Sequence, residues 1–356
     1  MAASRCAAAL RVIPEWWWTE MDQRTYFQEL KSGTVHNVYL FYGPEALIRK
    51  SALEQLKKRV LMPGLEELDC TVMQNPGAQQ LIESCETLPM MSEYRLIIAQ
   101  DSALLMSGKA KDEEQDGAML LSYLPRVPKT TCLVFDMSGA IDKRKKLTSA
   151  LMKLPGVVSF DALGDEELWR WMNQTLRRNG KRMEQSACEQ LAFLSGRDLT
   201  LLTGELHKLA AYVQEREVIT GADVEQVATK TAESTVFAMA EAIAARRAQE
   251  AFTLLNVLLH GGEQRIGILA MITRHYRQML HLVALRDARV PQPQQAKTLG
   301  VPPFVLNKLV RQVSGRTLES LKRDVEACVQ ADYDIKRGAM REDAALDRLM
   351  LQLLAG

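Results

Sequence analysis

Four short, almost uniformly apolar runs alternate with helix-forming stretches over residues 21–163. The runs are NVYLFYG, YRLIIAQ, TTCLVFDMS and GVVSFDAL, with stretches such as LIRKSALEQLKKRVL and DKRKKLTSALMKL between them. Strands that are apolar on both faces are typical of parallel sheets covered by helices on each side. The pattern therefore predicts an α/β domain with a parallel sheet flanked by helices in this part of the chain.

The rest of the chain has a helical pattern throughout. The segment ITGADVEQVA opens a helix with Thr220 and Asp223 as a capping box. Longer amphipathic stretches, separated by HGGEQ, RVPQPQQ, GVPP and SGRT, follow. A single core stops growing at about 250 to 300 residues, so several domains are expected. We predict a small helical domain at 164–231 and an all-helical domain at 232–356.

The first 20 residues, MAASRCAAALRVIPEWWWTE, stand apart from these patterns. Arg11 interrupts a short apolar run, and no small-residue cleavage site follows, so a secretion signal is not indicated. We expect residues 1–20 to be a disordered or artefactual leader, with the folded chain beginning at Met21. The alternative is that Trp16, Trp17 and Trp18 form a docking anchor.

Composition excludes several classes of function. The formal net charge is +1, with 47% hydrophobic and 25% charged residues, which gives no overall attraction to nucleic acid or membrane. The six cysteines form no C-x-x-C pair, and the five histidines have no metal-ligand spacing, so neither a metal nor another cofactor is expected. No apolar run is long enough to span a membrane.

The stretch LFYGPEALIRK lies where a nucleotide-binding domain would carry G-x-x-x-x-G-K-[ST]. Counted from Gly43, Ile48 replaces the second glycine, Arg49 the lysine and Lys50 the hydroxyl residue. A β-branched side chain hinders the approach of backbone to phosphate, and an ammonium group cannot bind Mg²⁺. We therefore interpret Gly43, Arg49 and Lys50 as a degenerate nucleotide loop.

Several segments carry a resemblance to a known family. They are GELHKLAAYVQEREVITGADVEQV, TVFAMAEAIAARRAQEAFTLLNVLLHGGEQRIGILAMITRHYRQML, QAKTLGVPPFVLNKLVRQ and DYDIKRG, and none is specific alone. In this order and spacing they resemble the delta subunit of bacterial DNA polymerase III, the clamp-opening subunit of the clamp loader. The resemblance covers nearly the whole chain from Met21 onward.

The resemblance implies a fold and a function. The fold would be an AAA+-like α/β domain at 21–163, a lid-like helical domain at 164–231 and a collar at 232–356. The chain would bind the beta sliding clamp and open its ring for loading on primed DNA. It would join the motor (gamma/tau) and delta-prime subunits through the collar, in the cytoplasm at replication forks. It would have no catalytic residue, hydrolyse no ATP and count as a nucleotidyltransferase only through the holoenzyme.

The family carries its clamp contact before the second main strand, here in ETLPMMSEYRLII. Leu88, Pro89, Met90 and Met91 match those hydrophobic positions. Sliding clamps present an apolar pocket, and two large thioether side chains can adapt to it. The alternative is that both methionines pack inward beneath the sheet.

The basic run DKRKK supplies Lys143, Arg144, Lys145 and Lys146 as possible DNA contacts. Against this function, Asp142 is expected to be the N-cap of a helix that begins here. Successive helical positions point in different directions, so a solvated helix start is the alternative to a DNA contact.

Three further features depend on the resemblance. Asp136 stands where an active enzyme holds Mg²⁺, but Met137 follows instead of Glu, so a strand-end acid capping a turn is the alternative. Arg197 matches the lid arginine that senses nucleotide and is expected to pair with a neighbouring acid instead. Apolar positions of the collar serve both core and subunit contact, and periodicity cannot separate the two roles; they include Phe237, Leu254, Leu258, Ile268 and Tyr276.

Two other functions compete with the clamp-binding adaptor. The first is an ATP-binding AAA+ motor subunit or a related remodeller, against which the missing G-K-[ST] and Asp-Glu pair argue. The second is a stand-alone DNA-binding protein, against which the near-neutral charge argues.

Overall fold

The computed structural model describes residues 21–108, 111–301 and 303–355. The chain divides into two compact units, the first ending at Gly164 and the second beginning at Asp165. The predicted leader and the alternative tryptophan anchor lie outside the described residues. No helix in the described part of the chain is long and apolar enough to cross a membrane.

The first unit is built on a parallel sheet. Within its described residues the sheet has six strands in the order β1-β6-β2-β5-β4-β3. Strands β2, β4, β5 and β6 correspond to the four predicted apolar runs, whereas β1 and β3 were not predicted. The bounds are β1 Met21–Asp22, β2 Val38–Tyr42, β3 Cys70–Gln74, β4 Arg95–Gln100, β5 Thr131–Met137 and β6 Val157–Ser159.

Helices cover both faces of this sheet. One face packs Tyr26 and Leu56 against Phe41, and the other packs Leu81 and Leu120 with the strand side chains. The predicted two-sided burial is therefore confirmed. The helices are α1 Gln23–Ser32, α2 Ala46–Val60, α3 Glu66–Asp69, α4 Ala78–Glu86, α5 Lys111–Tyr123 and α6 Lys146–Leu151.

The register of the sheet places the loop after β2 beside the end of β5. Phe41 pairs with Asp136, and Tyr42 pairs with Met137. Gly43 follows with φ +122°, and a Cβ atom there would lie 2.4 Å from the Phe160 carbonyl oxygen. Only glycine can take this conformation at such a close approach.

The second unit is almost entirely helical, as predicted. Among its described residues the exception is a pair of two-residue parallel strands, β7 Arg182–Met183 and β8 Val218–Ile219. Helix α10 begins with the predicted capping box of Thr220 and Asp223. The helices are α7 Asp165–Arg177, α8 Gln185–Ser195, α9 Leu199–Tyr212, α10 Gly221–Val227, α11 Ala232–Ala244, α12 Ala248–His260, α13 Arg265–Asp287, α14 Gln292–Leu299, α15 Pro303–Gln312, α16 Leu318–Lys336 and α17 Glu342–Ala355.

A buried polar network crosses the core of the second unit. His275 Nε2 donates to Gln312 Oε1 at 2.8 Å, and Gln312 Nε2 donates to the Phe237 carbonyl oxygen at 3.2 Å. Burial lowers the pKa of His275 to about 4, with Arg274 adding to the effect. The imidazole is therefore neutral near pH 7.

Candidate functional site

The loop between β2 and α2 has little room for a phosphate. Helix α2 begins at Ala46, so only three residues, Gly43 to Glu45, separate it from the strand. The Glu45 amide donates to the Phe160 carbonyl oxygen at 3.0 Å, and the Arg49 amide donates to the Glu45 carbonyl oxygen at 3.0 Å. A phosphate-binding loop needs amides that point at the ligand, and these two are already bonded within the protein.

Arg49 fills the position of the phosphate-binding lysine. Its side chain is only 9% exposed, and Nε donates to Asp136 Oδ1 at 2.7 Å. The same guanidinium donates through Nη1 to the Gly43 carbonyl oxygen at 2.7 Å. Gly43 and Arg49 are therefore in contact, and their hydrogen bond closes the loop on itself. Lys50 is exposed on α2.

Asp136 was expected either to stand at a Mg²⁺ position or to cap a turn, and the structure shows a third role. Its carboxylate accepts from Arg49 rather than capping a turn, and the next residue, Met137, is fully buried. The neighbouring turn is capped instead by Asp101, whose Oδ1 accepts from both the amide and the hydroxyl of Ser138. The acid at the end of β5 is thus paired with a protein cation.

The turn between α4 and β4 presents large apolar side chains to solvent. Leu88 is 70% exposed, Met90 71% and Met91 53%, while Pro89 is half-buried. The alternative in which the methionines pack beneath the sheet is therefore wrong. We call residues 88–91 the docking turn.

A fully buried carboxylate holds the docking turn in place. Asp69, at the end of α3, accepts from the amides of Met90, Met91 and Ser92 at 2.5, 2.8 and 2.6 Å. Burial alone would raise the pKa of Asp69, but these hydrogen bonds outweigh it and lower the pKa to about 2. Because the backbone is fixed, the two methionine side chains are presented from a preorganised turn.

The basic run does not form a helix start in the predicted way. Helix α6 begins at Lys146 with Lys145 as its N-cap, so the assignment of Asp142 as the N-cap is wrong. Asp142 instead accepts from the amide, Nε and Nη2 of Arg144, which lowers the pKa of Asp142. Helix α6 therefore begins later than predicted, because Asp142 accepts the hydrogen bonds of Arg144 in a turn that precedes the helix.

Each of the other cations in the run has its own environment. Lys143 lies over the ring of Tyr42 at 5.4 Å, and Lys145 Nζ donates to the Ala103 carbonyl oxygen at 3.0 Å. Lys143, Arg144 and Lys146 are exposed, whereas Lys145 is half-buried. A contact with DNA remains a prediction for this run.

Comparison with known proteins identifies the family. The model for "DNA polymerase III, delta subunit" matches residues 39–161, and that for "DNA polymerase III delta subunit, C-terminal domain" matches residues 233–353. DNA polymerase III subunit delta of Bacillus subtilis is 27% identical over 332 residues, covering 92% of this chain and 96% of the relative. The chain belongs to the DNA polymerase III delta subunit family.

Two further similarities agree with this membership. The solved structure of the Bacillus subtilis DNA clamp loader delta protein has a TM-score of 0.57 and 27% identity, covering 94% of this chain and all of that one. A probable DNA polymerase III subunit delta of Aquifex aeolicus is 23% identical over 195 residues, 53% of this chain and 56% of the relative. The resemblance and the AAA+-like fold class are confirmed.

Arg197, the residue that the resemblance matched to the lid arginine, is paired with an acid. Arg197 Nη1 donates to Asp165 Oδ1 at 2.7 Å, as predicted, and both side chains are exposed. An exposed pair contributes about 0 to 1 kcal/mol, so its effect on stability is small.

Most of the apolar positions expected to serve both core and subunit contact are buried in the structure. Phe237, Leu258, Ile268 and Tyr276 are buried in the core of the second unit, and Leu254 packs against that core while partly exposed. The four buried side chains are therefore core residues, and only Leu254 of this set keeps an exposed surface. Exposed large apolar residues of these helices are Val257, Ile266, Val329, Tyr333 and Leu351.

Asp69 is the site residue that sequence reasoning missed. It follows Glu66 and Glu67 in an acidic run, and nothing in the sequence distinguishes a buried acid from its exposed neighbours. The available signal was the position: a short acid directly before a strand can cap the backbone of an adjacent turn.

Among the described residues, no group of three or more His, Cys, Asp or Glu side chains could hold a metal ion.

Proposed function

We propose that this chain is the clamp-opening delta subunit of the loader and that it binds the beta sliding clamp through Leu88, Pro89, Met90 and Met91. The observation that carries the proposal is the exposure of Met90 and Met91 on a turn fixed by buried Asp69. Large apolar side chains exposed on a rigid turn are costly in water and suit an apolar pocket on a partner.

Clamp opening in this proposal uses binding free energy alone. If the docking turn binds the open or strained ring more tightly than the closed one, the equilibrium shifts toward the open ring. No catalytic residue is needed for this step, and the chain hydrolyses no ATP. The label nucleotidyltransferase then applies only to the polymerase III holoenzyme.

The competing function, an ATP-binding motor subunit or related remodeller, conflicts with the geometry of the nucleotide loop. Arg49 lies on Asp136 and on the carbonyl oxygen of Gly43, where a working site would hold phosphate and Mg²⁺. Binding a nucleotide would require breaking both contacts. The adaptor function needs no such change.

The assembly and its place in the cell belong to the same proposal. Residues 164–231 form the lid-like domain, and residues 232–356 form the collar that joins the motor (gamma/tau) and delta-prime subunits. Primed DNA would meet the assembled loader, and Lys143, Arg144, Lys145 and Lys146 are the proposed phosphate contacts, of which all but Lys145 are exposed. The subunit acts in the cytoplasm at replication forks.

The test is equilibrium binding of the full chain to the cognate sliding clamp, with and without ATP. We expect binding that is independent of ATP, and no retention of nucleotide by the chain. Met90→Ala/Met91→Ala should weaken clamp binding at least about thirtyfold, or about 2 kcal/mol, because two apolar anchors are lost.

A matched control distinguishes docking from general loss of apolar surface. Leu201→Ala removes a side chain that is 62% exposed on α9 and should leave the clamp affinity unchanged. An unchanged melting temperature in all variants is expected because the altered side chains are exposed. Clamp binding that survives the double methionine variant, or ATP turnover by the isolated chain, would contradict the proposal.

A further inference from the structure

The exposed apolar side chains of the first unit are concentrated in one part of it. Among its described residues, all seven large hydrophobic side chains that are exposed fall within residues 62–91. Three belong to the docking turn, three come from the segment that leads into the edge strand β3, and Val72 lies in β3 itself. The seven are Met62, Leu65, Leu68, Val72, Leu88, Met90 and Met91.

Hydrogen bonds tie the two segments together. The Met62 amide donates to Ser92 Oγ at 2.9 Å, and Asp69 accepts the three amides described above. Arg95 completes the connection, donating to the Leu68 carbonyl oxygen at 2.8 Å and to Thr71 Oγ1 at 2.9 Å. Residues 62–71 and 88–95 are therefore joined at both ends as one surface.

The apolar surface area of the docking turn alone is small for a specific protein interface. Complete burial of a methionine corresponds to about 60 to 120 Å² of apolar surface at about 25 cal/mol per Å². A specific protein interface buries about 800 Å² on each partner. A partner that receives Met90 and Met91 must therefore also cover the surface to which they are tied.

We infer that Met62, Leu65 and Leu68 form a second half of the clamp-docking surface, joined to the docking turn by Asp69. This inference rests on the proposed function, and its occupant is the same sliding clamp. Exposed Glu66, Glu67 and Glu93 stand beside these apolar side chains in the sequence, the mixture of apolar and polar groups expected of a protein interface. Asp69 acts as a positioning residue, because it lies in the first segment and holds the backbone of the docking turn.

The test compares three full-length variants for binding to the sliding clamp. Leu65→Ala/Leu68→Ala should weaken binding about tenfold, because both side chains are more than one-third exposed in the free chain. Met90→Ala/Met91→Ala should weaken it more, and Leu201→Ala should have no effect. Melting temperatures measured in parallel check that each variant is folded.

A second measurement needs no variant. Addition of the clamp to the wild-type chain should slow amide hydrogen exchange in peptides covering residues 62–69 as well as residues 88–95. Absence of protection at 62–69, or an affinity of the double leucine variant within twofold of wild type, overturns this inference while the docking-turn result stands. If the wild-type chain does not bind the clamp, the proposed function itself fails, and this inference with it.

Discussion

Arg49 supplies the positive charge that lies beside the Asp136 carboxylate. The pair lies at 2.7 Å with both side chains mostly buried, and the guanidinium also binds the Gly43 carbonyl oxygen. A carboxylate at the end of a central strand would be costly if left alone in this environment. The arginine that replaces the phosphate-binding lysine is therefore also a structural part of the first unit.

Removing the Arg49 side chain should strongly destabilise the folded chain. Arg49→Ala leaves the Asp136 carboxylate unpaired and is expected to reduce the free energy of unfolding by about 3 to 5 kcal/mol. Urea unfolding followed by circular dichroism measures this change. The variant should bind no ATP, because the Glu45 and Arg49 amides remain bonded.

The control for this prediction removes both charges. Arg49→Met/Asp136→Leu should cost clearly less than Arg49→Ala, since no buried charge is then left unpaired. Equal losses for the single and double variants would show that the guanidinium acts through packing rather than through the pair.

The buried His275 side chain should make the stability of the folded chain depend on pH. The pKa of His275 is about 4 in the folded chain against 6.5 for the free side chain. Below pH 6.5 the unfolded chain binds a proton at His275, whereas the folded chain binds it only near pH 4. The free energy of unfolding therefore decreases as the pH is lowered from 6.5 to about 4. The loss should be on the order of 3 kcal/mol.

Comparison of wild type with His275→Gln isolates this effect. The variant should lose less stability than wild type between pH 7 and pH 5, measured as the change in melting temperature of the second unit. Parallel curves for the two proteins would contradict the assignment of His275 as a buried neutral group.

At the scale of elements, strongly apolar strands were predictable and the edge of the sheet was not. Strands β2, β4, β5 and β6 are buried on both faces and read as continuous apolar runs. Strand β3 lies at the edge, with Val72 exposed and Met73 buried, so CTVMQ lacks such a run. Edge position, set by tertiary structure, weakened the sequence signal.

The capping box of α10 was predictable because it is local. Asp223 accepts from the Thr220 amide at 2.9 Å and from both Nη atoms of Arg216, at 2.7 and 3.1 Å. Thr220→Ala should cost about 1 kcal/mol as an ordinary cap loss. Asp223→Ala should cost more, because Arg216 also loses its partner, and urea unfolding of both variants checks this order.

At the scale of the whole molecule, each unit has a core of its own. The first is organised around the sheet, and the second around helices α11 to α17. The boundary after Gly164 lies within one residue of the predicted domain edge at 163. The finer division at residue 231 stays a prediction.

Separate cores predict separate folding. Residues 21–164 and 165–356, expressed alone, should each unfold cooperatively. The first fragment should bind the sliding clamp with an affinity close to that of the full chain, and the second should not bind it. Clamp binding by the second fragment would place the contact outside the docking turn.

The candidate site was predictable in part. The exposed position of Met90 and Met91 agrees with the clamp contact that the family resemblance implied, and the departure from G-x-x-x-x-G-K-[ST] was visible in the residue types at fixed spacing. Asp69 and the Arg49–Asp136 pair were not found, because the partners are 21 to 23 and 87 residues apart along the chain. Such contacts depend on how strands are ordered in the sheet, which periodicity does not determine.

The contacts that close the loop after β2 would also oppose a return to the standard phosphate-loop sequence. Restoring lysine at position 49 would exchange a two-pronged guanidinium for a point charge, so the contacts to Asp136 and Gly43 could not both be kept. Ile48 and Lys50 would have to change as well before a phosphate gained anything. A single Arg49→Lys substitution is therefore expected to lower stability without creating a phosphate site, so a return to the standard loop sequence would require several changes at once.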